Sequence, residues 1–254
     1  MRGKTRYRRH MTQDKLYQTD DGSAPFRFDD RVARVFPDML RRSIPGYAAS
    51  IEAIGSLAAR YVRPGTNCYD LGCSLGAATL AMRQGIGEPG CRIVAVDAAP
   101  AMLARCREII AEDDRRHGRE TEVELVEDDI RNIEIANASL VVLNYTLQFV
   151  DPDDRDDLVT RIADGTNEGG LLVLSEKVVD EDPAMERLLV DLHHEHKRRN
   201  DYSALEISRK RAALENVLVP ETVAAHRARL ERAGFSRSAV WLRHFNFVSI
   251  VAIR

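Results

Sequence analysis

A glycine-containing turn between a short apolar strand and a helix constrains this 254-residue chain more than any other feature. Residues 67–71 predict the strand, and YDLGCSLGAA at residues 69–78 leads from it into a helix that begins at Ala77. Glycine avoids a Cβ clash in a tight turn, and a helix N-terminus offers free N–H groups to a polar ligand. We expect Gly72 to form the turn and Gly76 to let a ligand or the next helix approach closely.

Acidic residues lie at the ends of successive predicted strands. Asp70 belongs to the first strand, Asp97 ends the second, and Asp129 closes the third. The carboxyl ends of parallel strands share one sheet edge, where a carboxylate can accept ribose hydroxyls. Asp129 could likewise receive an adenine amino group, with Ile130 packing the ring. The alternative is that each acid caps a following helix, but three acids at one edge favour a nucleoside ligand.

Repeated strand–helix units predict an α/β fold with a Rossmann-like sheet and helices on both faces. The terminal sequence AVWLRHFNFVSIVAIR predicts a hairpin around His244–Asn246, which gives seven strands with one antiparallel C-terminal strand. Helices are predicted near 28–40, 48–61, 77–83, 100–110, 153–164 and 222–233, and strands at 67–71, 92–96, 123–126, 140–143 and 171–175.

The rest of the chain divides into a tail and an insertion. Residues 1–25 predict a flexible polar tail, and residues 26–254 predict a single α/β domain. A helical insertion over about 178–220, with helices near 183–199 and 203–217, is expected to cover the ligand pocket. The tail is basic but lacks the apolar segment of a secretory signal.

Composition limits the class of protein. With 44% hydrophobic and 30% charged residues, wholesale disorder is excluded, and no apolar run approaches the roughly 20 residues of a membrane span. The net charge of -3 argues against direct binding of nucleic acid through bulk charge. The four cysteines form no CxxC pair, so we expect reduced thiols and a cytoplasmic protein.

The turn has the pattern Asp-x-Gly-x-Ser-x-Gly rather than the dinucleotide-binding GxGxxG. It resembles the first motif of class I S-adenosylmethionine-dependent methyltransferases, whose middle glycine is replaced here by Ser74. Either the backbone approach is tighter at Ser74, or its hydroxyl binds the ligand.

Longer segments carry a more specific resemblance. They are similar to the carboxy-S-adenosyl-L-methionine synthase family over roughly residues 28–254, and the segments are FDDRVARVFPDMLRRSIPGY, YDLGCSLGAATL, LNYTLQFV, LVLSEK and YSALEISRKRAALENVL. The resemblance implies that S-adenosyl-L-methionine and prephenate become carboxy-S-adenosyl-L-methionine, phenylpyruvate and water. Departing hydroxide would form a sulfonium ylide that captures carbon dioxide. The resemblance also suggests a homodimer, and it implies that the product serves a separate tRNA carboxymethyltransferase that modifies wobble uridine.

The resemblance also implies a set of ligand-binding residues and no metal. Tyr47 would close over the ligand, Asn144 would bind near its methionine portion, and Ala98 stands where the family often has Asn. The implied binding residues are Tyr47, Gly72, Cys73, Ser74, Asp97, Ala98, Asp129, Ile130, Asn144 and Arg211.

Arg211 is the residue implied for the distinguishing chemistry. Its guanidinium can clamp a carboxylate in bidentate fashion, which Lys cannot do equally well. The alternative is that Arg209–Arg211 is a solvated helix face. Tyr202 is expected to line the same region.

Other interpretations remain open at this point. The chain could be an ordinary methyltransferase with a small-molecule acceptor, or a non-catalytic ligand-binding or tRNA-scaffolding protein. His193, His194 and His196 suggest a metal site, but their spacing favours a polar helix face.

Overall fold

A computed structural model describes residues 12–18, 26–214 and 217–254 of the chain. Strands and helices alternate through its centre, as the sequence predicts. In chain order the main elements are α1 (Asp30–Ser43), α2 (Tyr47–Tyr61), β1 (Asn67–Leu71), α3 (Ala77–Gly85), β2 (Arg92–Asp97), α4 (Pro100–His117), β3 (Glu122–Glu127), β4 (Ala138–Asn144), α5 (Arg155–Gly165), β5 (Thr166–Val179), α6 (Pro183–Arg199), α7 (Ala204–Leu214), β6 (Glu221–Thr222), α8 (Val223–Arg232), β7 (Arg237–His244) and β8 (Phe247–Ile253).

The strands form one mixed sheet in the order β3-β2-β1-β4-β5-β8-β7. Strands β1 to β5 are parallel, and β8 runs antiparallel to both of its neighbours. The predicted α/β fold class with one antiparallel C-terminal strand is therefore confirmed. The two-residue strand β6 pairs with the end of β5 and was not predicted, because it is too short to show a periodic pattern.

The central strands are buried on both faces, which explains their continuous apolar sequence. In β4, residues 138–143 are buried, and β1 is buried from Cys68 to Leu71. Ile54 and Met82 pack against one face of the sheet, while Leu158 and Leu230 pack against the other.

The predicted boundaries differ most from the observed ones at α4 and β5. Helix α4 continues to His117 and ends at Gly118, whose φ of 57° suits glycine. Strand β5 begins at Thr166 rather than at the predicted residue 171, because Thr166 already pairs with Ala138. The apolar run that marked the strand covered only its buried centre.

Helices α1, α6 and α7 form a roof beside the carboxyl edge of the sheet. Part of the predicted flexible tail contacts this roof: Asp14 is 1% exposed, and its backbone N–H donates to Asp38 Oδ2 at 2.9 Å. The hydroxyl of Tyr202 donates to Asp14 Oδ2 at 2.5 Å. Residues 12–18 therefore differ from the predicted flexible tail, because the Asp14 carboxylate accepts a hydrogen bond from the buried Tyr202 hydroxyl. Residues 1–11 and 19–25 lie outside the described residues.

Two further observations concern the whole described chain. All four cysteines are buried free thiols. Among the helices of the described ranges, none is long and apolar enough to cross a membrane.

Candidate active site

A cavity of about 830 Å³ opens at the carboxyl edge of the sheet, where the chain order reverses between β1 and β4. Open α/β sheets bind ligands at this position. Helices α6 and α7 from the predicted insertion line its roof. The structure brings all ten of the implied binding residues to its wall: Tyr47, Gly72, Cys73, Ser74, Asp97, Ala98, Asp129, Ile130, Asn144 and Arg211.

Both glycines of the turn are required by their surroundings. Gly72 has φ 82°, and a Cβ built on it would lie 2.4 Å from Thr146 Cγ2. Gly76 has φ 80°, and its Cβ would lie 2.7 Å from Cys106 Sγ in α4. Of the two explanations offered for Gly76, the structure shows close approach of the next helix.

Ser74 adopts the left-handed conformation that the missing glycine would favour, with φ 49°. Its backbone N–H donates to Asp97 Oδ2 at 2.8 Å, while the Ala99 N–H donates to Asp97 Oδ1 at 2.9 Å. The Ser74 hydroxyl has no hydrogen bond within the described residues. Asp97 thus fixes the turn through the Ser74 backbone, and burial raises the pKa of its carboxyl group.

Asp129 combines the two roles considered for the strand-end acids. It lines the cavity and also caps a short 3-10 helix (Ile130–Asn132), accepting the Arg131 N–H at 2.9 Å. Its other oxygen accepts from Arg131 Nη2 at 2.7 Å, and these side-chain hydrogen bonds lower the pKa of the carboxyl. Asp129 therefore remains ionised at neutral pH.

The floor of the cavity carries buried polar groups, of which Asp70 and Tyr145 are not among the ten implied binding residues. Asp70 is 1% exposed and accepts a 2.5 Å hydrogen bond from Thr79 Oγ1, while burial raises its pKa to about 6. Tyr145 stands 6.3 Å from Tyr47 between ring centroids. Asn144 Oδ1 is buried with no hydrogen-bond partner among the described residues. Asp70 is the first residue of the Asp-x-Gly-x-Ser-x-Gly motif, so the motif could have predicted its place at the cavity.

The roof brings several cations to the cavity. Arg211 is exposed and has no hydrogen bond or ion pair within the part of the chain that the structure describes. Its neighbour Lys210 is 6% exposed and donates to Ser43 Oγ at 3.0 Å. The basic run is therefore not a uniformly solvated face. Lys177 from β5 and Lys197 from α6 also line the cavity.

Two expectations about the roof require correction. Tyr202 is not among the lining residues; its ring lies 3.9 Å beneath the Arg42 guanidinium carbon and stabilises the roof from behind. His193 was expected on a polar face but is 5% exposed, with Nε2 2.9 Å from the Ser43 carbonyl oxygen. Its ring packs edge-on against Phe247 at 4.8 Å. Nothing among the described residues groups three metal-ligating side chains into a site.

The residues present fit a nucleoside carrying an amino-acid arm. The cavity volume lies within the 300–1,000 Å³ typical of small-molecule sites. Carboxyl groups and apolar side chains both line its wall, and the unpartnered Asn144 oxygen can accept a ligand N–H. S-adenosyl-L-methionine supplies each matching part: ribose hydroxyls, an adenine ring, an amino group and a positively charged sulfur.

Comparison with solved structures shows the fold class. An O-methyltransferase family protein from Burkholderia thailandensis superposes with a TM-score of 0.62 at 19% identity, covering 89% of this chain and 60% of that one. Human N-acetylserotonin methyltransferase superposes with a TM-score of 0.57 at 18% identity, covering 89% and 55%. A family described as "Methyltransferase domain" matches residues 69–170. The molecule thus has the Rossmann-like methyltransferase fold.

Sequence relatives narrow the class. Carboxy-S-adenosyl-L-methionine synthase from Trichlorobacter lovleyi is 55% identical over 90% of this chain and 93% of its own. The protein of that name from Marinobacter nauticus is 54% identical over 95% of both chains. The chain belongs to the carboxy-S-adenosyl-L-methionine synthase family and is an enzyme. The family identifies its small-molecule ligand as S-adenosyl-L-methionine.

Proposed function

We propose that the protein converts S-adenosyl-L-methionine and prephenate into carboxy-S-adenosyl-L-methionine, phenylpyruvate and water. Prephenate loses its ring carboxylate as carbon dioxide and its hydroxyl as hydroxide; hydroxide takes a proton from the sulfonium methyl, whose carbon then bonds to carbon dioxide. Formation of the aromatic ring drives the loss of both groups. The atoms balance without an added oxidant or base.

The observation that carries the proposal is the free guanidinium of Arg211 at the cavity wall. Among the described residues it meets no carboxylate, so it is available to a ligand carboxylate. A methyl group needs no such partner, whereas a new carboxylate does, and Arg binds it through two parallel hydrogen bonds. Arg211 therefore favours carboxylate formation over ordinary methyl transfer.

The remaining residues are proposed to bind and orient the substrates. Asp97 would accept ribose hydroxyls, Asp129 and Ile130 would hold adenine, and Asn144 would accept from the amino group. The roof helices α1, α6 and α7 would keep water away from carbon dioxide until it reacts. Positioning of two substrates is the main contribution required of the protein, because prephenate provides the driving force.

The metabolic role follows from the chemistry of the product. Carboxy-S-adenosyl-L-methionine is a donor of a carboxymethyl group, and we propose that a separate enzyme transfers that group to wobble uridine in tRNA. The net charge of -3 fits a protein that does not itself hold RNA. A cytoplasmic homodimer is proposed from the family resemblance; light scattering of the purified protein would test the dimer.

Mass spectrometry of the nucleoside after incubation with S-adenosyl-L-methionine and prephenate tests the reaction. We expect the nucleoside to gain carbon dioxide and phenylpyruvate to appear in equal amount. S-adenosyl-L-homocysteine together with a methylated acceptor would instead show methyl transfer. An unchanged nucleoside with intact prephenate would contradict the proposed activity.

A further inference from the structure

The wall and the roof of the cavity carry more positively charged side chains than one carboxylate requires. Besides Arg211, Lys177 at the end of β5 and Lys197 in α6 line the cavity, and Lys197 is 9% exposed. Within the described ranges, neither ammonium group has a hydrogen-bond acceptor within 3.5 Å or a carboxylate oxygen within 4.0 Å. Burying a cation without a partner costs free energy, so the packing of the chain does not explain why these two lysines line the cavity. An anionic ligand would explain it.

Neighbouring groups do not supply the missing partner. Lys210 donates to Ser43 Oγ at 3.0 Å and lies 3.9 Å from Asp14 Oδ2, so its charge is already engaged. Glu186 is the acid whose charge acts on Lys177, but no oxygen of its carboxylate lies within 4.0 Å of the Lys177 ammonium group, and its Oε2 accepts the Asp180 N–H at 2.8 Å. Lys177 and Lys197 differ from Lys210 because no acid of the described chain pairs with them.

An unpartnered amide lies beside Lys177. Asn246 is 0% exposed and lies in the cavity wall, in the turn between β7 and β8. Its Nδ2 and Oδ1 both lack a hydrogen-bond partner among the described residues. Lys177 pairs with Phe247 in the sheet register, so Asn246 directly precedes its sheet partner. Buried amides are nearly always hydrogen-bonded, which makes this one a second independent sign of a missing polar ligand.

The proposed co-substrate has two carboxylates, and this inference rests on that proposed function. One carboxylate leaves the ring and reappears in the product, where Arg211 would bind it. The other belongs to a 2-oxo acid side chain, which remains in phenylpyruvate. We propose that Lys177, Lys197 and Asn246 form a second subsite that binds this 2-oxo acid end. The ammonium groups would pair with the carboxylate, and the amide would donate to the keto oxygen.

Calorimetric titration of phenylpyruvate into protein saturated with S-adenosyl-L-homocysteine tests the subsite. Phenylpyruvate keeps the 2-oxo acid end but lacks the transferred carboxylate. We expect Lys177→Met and Lys197→Met each to weaken its binding roughly ten- to hundredfold, and Asn246→Ala to weaken it severalfold. Arg211→Ala should change it by less than about threefold, because phenylpyruvate lacks the carboxylate that Arg211 is proposed to bind. Arg198→Met removes a neighbouring charge that does not line the cavity and serves as the control.

The outcomes separate this subsite from the proposed reaction. Unaltered phenylpyruvate affinity in Lys177→Met and Lys197→Met would overturn the subsite even if the wild-type protein carboxylates S-adenosyl-L-methionine. Equal losses of phenylpyruvate and S-adenosyl-L-homocysteine affinity would also overturn it, because they would show a general change of structure. If the wild-type protein forms no carboxylated product from prephenate, the proposed reaction fails, whereas phenylpyruvate binding still decides the subsite.

Discussion

Arg211 is the side chain that distinguishes carboxylation from methyl transfer, because a new carboxylate needs a cationic partner and a methyl group does not. Its charge lies at the cavity wall beside Lys177 and His194, whose pKa values it helps to lower. A site for a neutral methyl group would gain nothing from this concentration of positive charge. At the scale of single residues, the cavity therefore distinguishes between reactions that share one fold.

Arg211→Ala tests that role. We expect S-adenosyl-L-methionine to bind with its affinity changed by less than about threefold, since the guanidinium is proposed to contact only the new carboxylate. The yield of carboxylated product should fall by at least about a hundredfold, because a charged hydrogen-bonded pair contributes roughly 1.5–3 kcal/mol and Arg makes two such bonds. Calorimetry and mass spectrometry measure the two quantities.

Arg211→Lys is the matched control, because it keeps the positive charge but removes the planar guanidinium that makes two parallel hydrogen bonds. It should recover part of the lost yield, because a point charge replaces a bidentate contact. Loss of nucleoside binding in both variants, in parallel with loss of product, would contradict the assigned role.

Asp97→Asn addresses the nucleoside side of the cavity. The carboxylate accepts N–H groups from Ser74 and Ala99, and an amide can accept only one of them. We expect the unfolding free energy to fall by about 1 kcal/mol, and the dissociation constant of S-adenosyl-L-methionine to rise at least about tenfold. Urea denaturation and calorimetry provide the measurements; unchanged affinity would show that Asp97 serves the turn alone.

At the scale of elements, the unit formed by β1, the turn and α3 positions the cavity. Its two glycines are required because Thr146 and helix α4 leave no room for a Cβ. The sequence predicted a close approach in this turn but not the neighbours that make it. Strand ends were predictable because buried parallel strands have continuous apolar sequences that stop where the acids begin. The length of β5 was not, because its outer residues are polar and pair only through tertiary register.

Gly72→Ala and Gly65→Ala form a matched pair at this scale. Both glycines have positive φ, 82° and 68°, but only Gly72 has a neighbour in the space of a Cβ. Gly65→Ala should cost about 1 kcal/mol for the left-handed backbone alone. Gly72→Ala should cost more than about 2 kcal/mol and abolish S-adenosyl-L-methionine binding, because Thr146 must move. Equal costs in thermal or urea unfolding would refute the steric explanation.

At the scale of the whole molecule, the buried lysines of the roof lower the free energy of unfolding. Burial, with the nearby charges of Lys210 and Lys177, lowers the pKa of Lys197 to about 7 from an ordinary value near 10.5. The unfolded chain therefore binds more protons than the folded one between these pH values. Stability contributed at this position rises with pH across that window and is lowest at and below pH 7.

Lys197→Met is expected to be more stable than the wild-type protein at pH 7. The difference in unfolding free energy should shrink by about 2 kcal/mol between pH 7 and pH 9, because deprotonation of the wild-type lysine removes its penalty. Urea denaturation at both pH values measures this change. A difference that stays constant would mean that Lys197 keeps its proton in the folded protein.

The roof is also where sequence analysis stopped short. A helix rich in Lys, Arg and His shows the same pattern whether its charges face solvent or a cavity, so Lys197 and His193 could not be assigned to the interior. Tyr202 and Asp14 meet only because distant segments pack together, 188 positions apart. Asn246 follows from no local pattern at all, whereas the glycine motif and the strand alternation were enough to predict Asp97 and Asp129 at the carboxyl edge of the sheet.

Prephenate with an isotopic label in its ring carboxylate tests the central claim most directly. After incubation with the wild-type protein and S-adenosyl-L-methionine, we predict that the label appears in the new carboxylate bonded to the former methyl carbon of the nucleoside, with phenylpyruvate unlabelled. Recovery of S-adenosyl-L-homocysteine, or of carboxylated nucleoside without the label, would contradict the transfer of carbon dioxide within this cavity.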